Sequence, residues 1–267
     1  MNKETTQLSP TLSIRISTDG FCFCTYLPQQ PNSVKYSYHE CDKATSLNAN
    51  FETAWEESGL ANKEYSNIQV IVASAEFTTI PSNYDSNDEY VAMYNSCFPP
   101  SEKSLKILSN KLSAHNLTVL FSIDEELHER LCEIGEINYY SPVSIILGYL
   151  TRYPREEKKF LTTYLHNGKS LLIAMEDERP TLINGFVGEA TEDQLYYLLC
   201  IWNELKFSQL EDTLLLCGDT QADAMEMSAK NFIRNIKRIN PREQFRSNLL
   251  NKIENIPFDL QTLLLCE

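Results

Sequence analysis

The sequence is poor in basic residues. Its 267 residues include 23 lysines and arginines against 37 aspartates and glutamates, which gives a formal net charge of −14. This charge repels the phosphates of nucleic acids and the headgroups of anionic membranes. We therefore expect neither nucleic acid nor a membrane surface as a partner.

Long apolar stretches are also missing. The N-terminal MNKETTQLSP is polar and lacks the apolar core that a signal peptide needs. The most apolar windows, such as PVSIILGYL, are too short to cross a bilayer. These absences predict a cytoplasmic protein with no membrane insertion.

The cysteines and histidines lack the spacing of metal ligands. No C-x-x-C pair occurs, and the four histidines are far apart in the sequence. The eight cysteines are scattered through apolar runs, so we interpret them as reduced core residues and not as a disulfide framework. The sequence predicts no metal site.

Motifs for catalysis are absent as well. There is no G-x-S-x-G elbow, and no serine or cysteine stands in another recognisable nucleophile motif. The acidic runs EDE (176–178) and SNDEY (86–90) fall in a predicted loop and near a predicted helix start, where solvation explains them. The predicted strands do not carry the several carboxylates of a two-metal nuclease. We therefore predict no catalytic residue.

What the sequence does contain is one order of elements, three strands, a helix and a fourth strand, that occurs twice. In the first half the elements are Leu12–Ser17, Phe21–Tyr26, Ser33–Glu40, a helix in NANFETAWEESGL that stops at Gly59, and Ile68–Ser74. In the second half they are Phe160–Leu165, Ser170–Glu176, Thr181–Phe186, a helix from Thr191, and the strand TLLLCG. The spacing from the turn glycine to the fourth strand is similar in both halves, which predicts a duplicated unit.

A bridge of one strand and two helices joins the halves. Its first helix is predicted to begin with a capping box of Ser122 and Glu125, and its second at Pro142. A second capping box, Thr191 with Gln194, is predicted for the helix of the second half. Pro154 marks the predicted boundary between an N-terminal lobe (1–153), with an insertion around 76–104, and a C-terminal lobe (154–267).

Two further patterns carry expectations. Trp55 and Trp202 lie on the apolar faces of the two equivalent helices and should be buried against their own sheets. A local cluster of basic residues is interpreted as a solvated helix face and its loop; its members are Lys230, Arg234, Lys237, Arg238, Arg242 and Arg246.

The repeated order, with the bridge VLFSIDEELHERLCEIGEINYYSPVSIILGYL between its copies, resembles the actin-like ATPase fold of the ribonuclease H-like class. The bridge is similar to that of cytoplasmic actin-like proteins of pilus and secretion systems. The segment INGFVGEATEDQLYYLLCIWNEL and the ending LLLCE look still more like an uncharacterised bacterial family, known only as a domain of unknown function (DUF3822), with an actin-like fold. The resemblance implies a duplicated α/β fold with mixed sheets and two lobes around a cleft.

Both hairpins depart from the pattern of actin-like ATPases. That pattern implies an aspartate at the end of each first strand, followed by a loop whose amides wrap the phosphates around a hydrated metal. Here the first strand ends in Ser17-Thr18, with Asp19 inside the turn, and the second ends in Tyr164, Leu165 and His166. We interpret both as tight turns with too few free amides to bind phosphate.

The turn residues have expected roles of their own. The Asp19-Gly20 pair is predicted to supply the positive φ angles of a type I′ turn, and Asn167-Gly168 forms the second turn. Lys169 is interpreted as an exposed lysine, and Gly218 as a turn from strand to helix. If a nucleotide does bind, the residues expected to contact ATP and magnesium are Asp19, Gly20, Gly168, Lys169, Gly218 and Asp219.

Two functions remain open at this point. The first is a degenerate actin-like module that needs no cofactor and binds another protein through the cleft, the insertion or an exposed sheet edge. The second is a nucleotide-binding protein or weak ATPase with altered phosphate loops. A small-molecule enzyme is a third, less specific alternative.

Overall fold

Two sheets of the same strand order organise the chain in the computed structural model. The structure describes residues 9–27, 30–61, 63–99, 103–153, 155–218, 220–241, 253 and 256–265. The elements of the first half are β1 (Thr11–Ser17), β2 (Gly20–Leu27), β3 (Gln30–Glu40), α1 (Leu47–Ser58), β4 (Asn67–Val72), β5 (Phe77–Pro81), α2 (Asn87–Cys97), β6 (Leu105–Leu112), β7 (Leu117–Asp124), α3 (Glu125–Cys132), β8 (Ile137–Tyr140) and α4 (Pro142–Arg152). Those of the second half are β9 (Lys159–His166), β10 (Lys169–Glu176), β11 (Arg179–Val187), α5 (Thr191–Glu204), β12 (Thr213–Gly218), α6 (Thr220–Ala229), β13 (Asn235–Arg238) and α7 (Phe258–Leu265).

The two five-stranded sheets have equivalent topologies. The first has the order β3-β2-β1-β4-β8 and the second the order β11-β10-β9-β12-β13. In each, a hairpin of antiparallel strands is extended by a parallel strand that returns after a helix, as in β1 with β4 and β9 with β12. The predicted α/β fold and its repeated element order are therefore confirmed. The two outer strands β8 and β13 were not predicted, because each has only four residues.

A third sheet lies between the two repeats in the sequence. Its order is β5-β7-β6, and helix α2 packs against it through Tyr90 and Tyr94. Strand β5 and helix α2 come from the stretch predicted as an insertion around 76–104, and β6 directly follows it. Pro154, the predicted boundary between the lobes, lies outside the described residues, and the division into 1–153 and 154–267 stays a prediction.

The main core runs from one five-stranded sheet to the other. It contains Phe23 of the first sheet, Tyr164 and Ile173 of the second, and Ile146 of α4 between them. Helix α7 packs on the other face of the first sheet, where Leu260 meets Cys22 and Cys24 of β2. The two repeats therefore share this core, and a second cluster packs α5 and α6 on the second sheet.

The tryptophan predictions are confirmed. Trp55 is 3% exposed and packs with Phe23 and Phe51 beneath the first sheet. Trp202 is 1% exposed and packs with Phe207 in the core of the second sheet.

Both predicted capping boxes are wrong. Ser122 lies inside β7 and bonds to the hydroxyl of Tyr94, while Asp124 caps α3 by accepting the amide of Leu127. Helix α5 has Ala190 at its N-cap, and the side chain of Gln194 donates to the carbonyl of Gly188 instead. Strand β7 continues past the predicted cap of α3, whereas α5 begins one residue earlier than predicted, with Thr191 already inside the helix.

The interpretation of the cysteines holds only in part. Seven are described and all are free; Cys22, Cys24 and Cys217 are buried, as expected. Cys97, Cys132 and Cys200 are exposed, because each lies on the outer face or at the end of a helix. Cys266 lies outside the described residues.

Candidate functional site

The two hairpin turns of the repeats contact each other. The side-chain amide of Asn167, in the β9–β10 turn, donates to the carboxylate of Asp19 in the β1–β2 turn. The ammonium of Lys169, the first residue of β10, donates to Thr18 Oγ1 at 3.1 Å and to the carbonyl oxygen of Ala73 at 3.3 Å. We call Thr18, Asp19, Ala73, Asn167 and Lys169 the hairpin latch.

The position of Lys169 corrects the sequence interpretation. An exposed lysine was expected after the turn, but the side chain is largely covered and reaches across to the first repeat. Burial lowers the pKa of Lys169 below its ordinary value, and the nearby carboxylate of Asp19 offsets part of that effect. The contact could not be predicted because its partners lie far away in the sequence.

Asp19 is held in its charged form. Burial by itself raises the pKa of Asp19, but the hydrogen bonds from Asn167 and Ser17 and the positive charges of His166 and Arg15 outweigh burial. The pKa of this carboxyl therefore lies below its ordinary value. Its hydrogen-bond donors come from both hairpins, so Asp19 is part of the joint between them.

The two turns differ in backbone geometry. Asn167 and Gly168 both have positive φ, 47° and 71°, as a type I′ turn requires, and the turn predicted at these residues is confirmed. In the first turn neither Asp19 nor Gly20 has positive φ, so the predicted type I′ geometry is wrong there. Gly20 is needed for space instead, because a Cβ at this position would lie 2.5 Å from the carbonyl oxygen of His39.

Gly218 likewise has a packing explanation. Its φ is 121°, and a Cβ there would lie 2.4 Å from the carbonyl oxygen of Leu165 on the neighbouring strand. Its own carbonyl accepts a hydrogen bond from the guanidinium of Arg238 at 3.2 Å. Asp219, the last of the residues expected near a nucleotide, lies outside the described residues.

A buried ion pair lies behind the latch, and no sequence pattern had pointed to it. Arg15 of β1 and Asp259 of α7 are 3% and 0% exposed, and Tyr164 of β9 is buried beside them. Burial raises the pKa of Tyr164, and the charge of Asp259 raises it further, so its hydroxyl stays protonated. One charged pair thus joins the first strand, the last helix and the second sheet.

Two spaces adjoin Lys169. A cavity of about 50 Å³ lies between the repeats, and Arg15, Tyr164 and His166 also line it. This cavity has room for only about three to five water molecules, at about 10–15 Å³ each. A groove of about 360 Å³ opens on the other side, bounded by the ends of β1, β4 and β7. Only the groove reaches the size of ordinary small-ligand sites.

The basic cluster is neutralised by neighbouring acids. Among its described members, Lys230 pairs with Glu226, Lys237 with Glu157 and Arg238 with Asp223. These pairs lie at the surface, but Lys237 and Arg238 are on strand β13, so the predicted helix face is wrong. Arg242 and Arg246 lie outside the described residues.

The described residues hold neither a cluster of metal ligands nor a membrane-spanning helix. Within the described ranges, no group of three or more histidine, cysteine, aspartate or glutamate side chains is arranged to hold a metal ion. No described helix has both the length and the apolar character needed to span a bilayer.

The chain is similar to a known protein family and to solved structures. Residues 2–236 match a family described as a protein of unknown function, DUF3822. The chain belongs to the DUF3822 family. A crystal structure from Bacteroides thetaiotaomicron, of a protein with an actin-like ATPase fold and unknown function, is similar at 28% identity. Its TM-score is 0.83, and the alignment covers 100% of both chains.

The chain is also similar, more distantly, to a solved structure of a pilus biogenesis complex. The structure of a PilM–PilN type IV pilus biogenesis complex aligns with a TM-score of 0.59 at 11% identity, covering 96% of this chain and 97% of the other. This likeness concerns the fold alone. No curated protein matches the chain. The actin-like fold expected from the sequence is thus confirmed for this member of the DUF3822 family.

Proposed function

We propose that this protein is a binding module for another protein, built on an actin-like fold that no longer hydrolyses ATP. The observation that carries the proposal is the hairpin latch: side chains of the two turns bond directly to each other where two phosphate loops would have to be separate. The turns are also too short to offer a series of free amides to an anion.

The strand ends support the same proposal. Ser17 and His166 end the two first strands of the hairpins, so neither strand end carries a carboxylate for a hydrated cation. Asp19, the nearest acid, is already bonded to Asn167 of the other hairpin. Phosphoryl transfer depends on positioned metal ions and cationic groups, and Lys169 is engaged with Thr18 and Ala73.

An exposed apolar patch on the second repeat is where we place the partner. Tyr196 of α5 is 64% exposed and lies beside Tyr197, whose ring stacks on Phe186 of β11. Aromatic side chains are enriched in the centres of protein interfaces. The flanking acids Glu189, Glu192 and Asp193 favour a partner with a basic surface.

Nucleotide binding is the second candidate, and the groove beside Lys169 is the observation that favours it. Its size of about 360 Å³ is compatible with a small ligand. A ligand at 100 times its Kd stabilises a protein by about 2.7 kcal/mol, which is visible as a rise in Tm. We expect millimolar magnesium-ATP to leave the Tm unchanged. A magnesium-dependent rise that is lost in Lys169→Met would favour the second candidate.

Affinity capture from the native cell tests the first candidate. The full chain is used as bait, in parallel with Tyr196→Glu and with Met227→Glu, a matched variant at a methionine that is 75% exposed on α6. We expect one protein to be retained by the wild type and by Met227→Glu and lost with Tyr196→Glu. Equal retention by all three baits would remove the patch as the binding surface.

A further inference from the structure

The hairpin latch joins the two repeats through one ammonium group. Lys169 belongs to the second sheet, while its acceptors, Thr18 Oγ1 and the carbonyl oxygen of Ala73, belong to the hairpin turn and to the end of β4 in the first repeat. The carboxylate of Asp19 adds a favourable charge at the same place. The surroundings of the ammonium are thus oxygen atoms of the opposite repeat.

Oxygen atoms in this arrangement suit a cation. A hydroxyl, a backbone carbonyl and a nearby carboxylate are the donor types that hard cations bind in proteins. Here the charge comes from the chain itself, on a side chain anchored in the opposite sheet. A ligand is therefore not needed to bring the two turns together.

Apolar packing also holds the two repeats together, with the cleft between them closed. Tyr164 and Leu171 of the second sheet pack in the same core as Ile16 of β1 and Val143 of α4. The buried pair of Arg15 and Asp259 adds a polar contact behind the latch. Opening the cleft would expose the apolar surface of these core residues and would at the same time separate the residues of the latch.

We propose that Lys169 is a built-in cation that keeps the two repeats closed with no ligand bound. On this view the molecule presents one fixed shape, and it lacks the opening and closing that a ligand bound between the turns would drive. The proposal concerns the joint between the repeats and does not depend on which protein the patch on β11 and α5 binds.

Chemical rescue of a truncated side chain tests the proposal. Lys169→Ala removes three side-chain carbons and the ammonium group. A propylammonium ion has the same atoms and can fill the space that they leave. We expect Lys169→Ala to lower the Tm by several degrees and propylammonium chloride to restore most of that loss. Sodium chloride and 1-propanol at equal concentration control for ionic strength and for apolar binding. Lys158→Ala, at an exposed lysine of the same repeat, should melt like the wild type.

A second variant separates charge from packing. Lys169→Met keeps the length of the side chain and removes its charge, so we expect a lower Tm that propylammonium does not restore. Hydrogen exchange should also become faster in residues 16–20 and 166–170 of both Lys169 variants, while α5 exchanges as in the wild type. If the Lys169 variants melt like Lys158→Ala, or if propylammonium restores nothing in Lys169→Ala, the proposal is wrong. These results are independent of the affinity capture and of the ATP titration.

Discussion

Arg15 Nε lies 2.9 Å from each carboxylate oxygen of Asp259, although 244 residues separate the two in the sequence. Burial alone would lower the pKa of Arg15, but the charge of Asp259 raises it above its ordinary value, so the guanidinium is charged. Each charge is buried and depends on the other for compensation. The pair therefore fixes the position of helix α7 on the first sheet more than it adds net stability.

Removing one member of this pair should be costly. Arg15→Met and Asp259→Asn each leave a buried charge without its partner, and we expect each to lower the free energy of unfolding by about 3–5 kcal/mol. The double variant Arg15→Met/Asp259→Leu removes both charges, so it should lose less than either single variant. Urea unfolding measures all three. A loss below about 1 kcal/mol for Arg15→Met would contradict the buried pair.

The two hairpin turns show that a sequence predicts local backbone requirements better than requirements set by a neighbouring strand. The turn at Asn167-Gly168 was assigned correctly, because these two residue types readily adopt positive φ, which is a local property of the pair. Asp19-Gly20 is the same kind of pair, yet its glycine is required by β3, whose His39 carbonyl leaves no space for a side chain. That requirement comes from a neighbouring strand and has no local signature.

The candidate site shows the same limit. The order of the strands along the chain followed from alternating apolar residues and the turns between them, but no pattern predicted that the two hairpin turns contact each other. The contacts of Lys169 with Thr18 and Ala73, and of Arg15 with Asp259, join residues far apart in the chain. A lysine after a turn and an aspartate in a C-terminal helix are ordinary surface residues by sequence, so their burial could not be predicted.

Gly218 and Gly148 provide a matched pair of glycine substitutions. Gly218→Ala places a Cβ 2.4 Å from a backbone oxygen and forces φ of 121° on an alanine, so we expect a loss of about 2–4 kcal/mol. Gly148 lies inside α4 with open space around it, and Gly148→Ala should raise the free energy of unfolding by about 0.5–1 kcal/mol. Thermal unfolding distinguishes the two. A loss at Gly148 as large as at Gly218 would contradict the packing explanation.

Trp202→Ala should remove a large part of the core of the second sheet. The side chain is 1% exposed, and truncations of this size cost about 3–5 kcal/mol. Its indole N–H is buried without a hydrogen-bond acceptor, so Trp202→Phe removes an unsatisfied donor together with some volume and should cost about 2 kcal/mol or less. Denaturant unfolding compares the two variants. A loss below about 1 kcal/mol for Trp202→Ala would mean that α5 presents another face to the sheet.

The last prediction concerns acid and Asp19. Its pKa in the folded protein lies below the ordinary value of 3.8, so folding favours the charged carboxylate. The stabilisation is complete at pH well above 3.8 and is lost as the pH falls through the lower, folded pKa. We therefore expect the free energy of unfolding of the wild type to exceed that of Asp19→Asn by about 1 kcal/mol at neutral pH, because a hydrogen bond typically contributes this much. That difference should shrink steadily below pH 3.8.

The measurement is urea unfolding of both proteins between neutral pH and about pH 3. The comparison isolates Asp19 because the same neighbouring charges, Arg15, His166 and Lys169, are present in both. A difference that is constant from neutral pH to pH 3 would show that Asp19 contributes through packing alone and that its charge does not stabilise the latch.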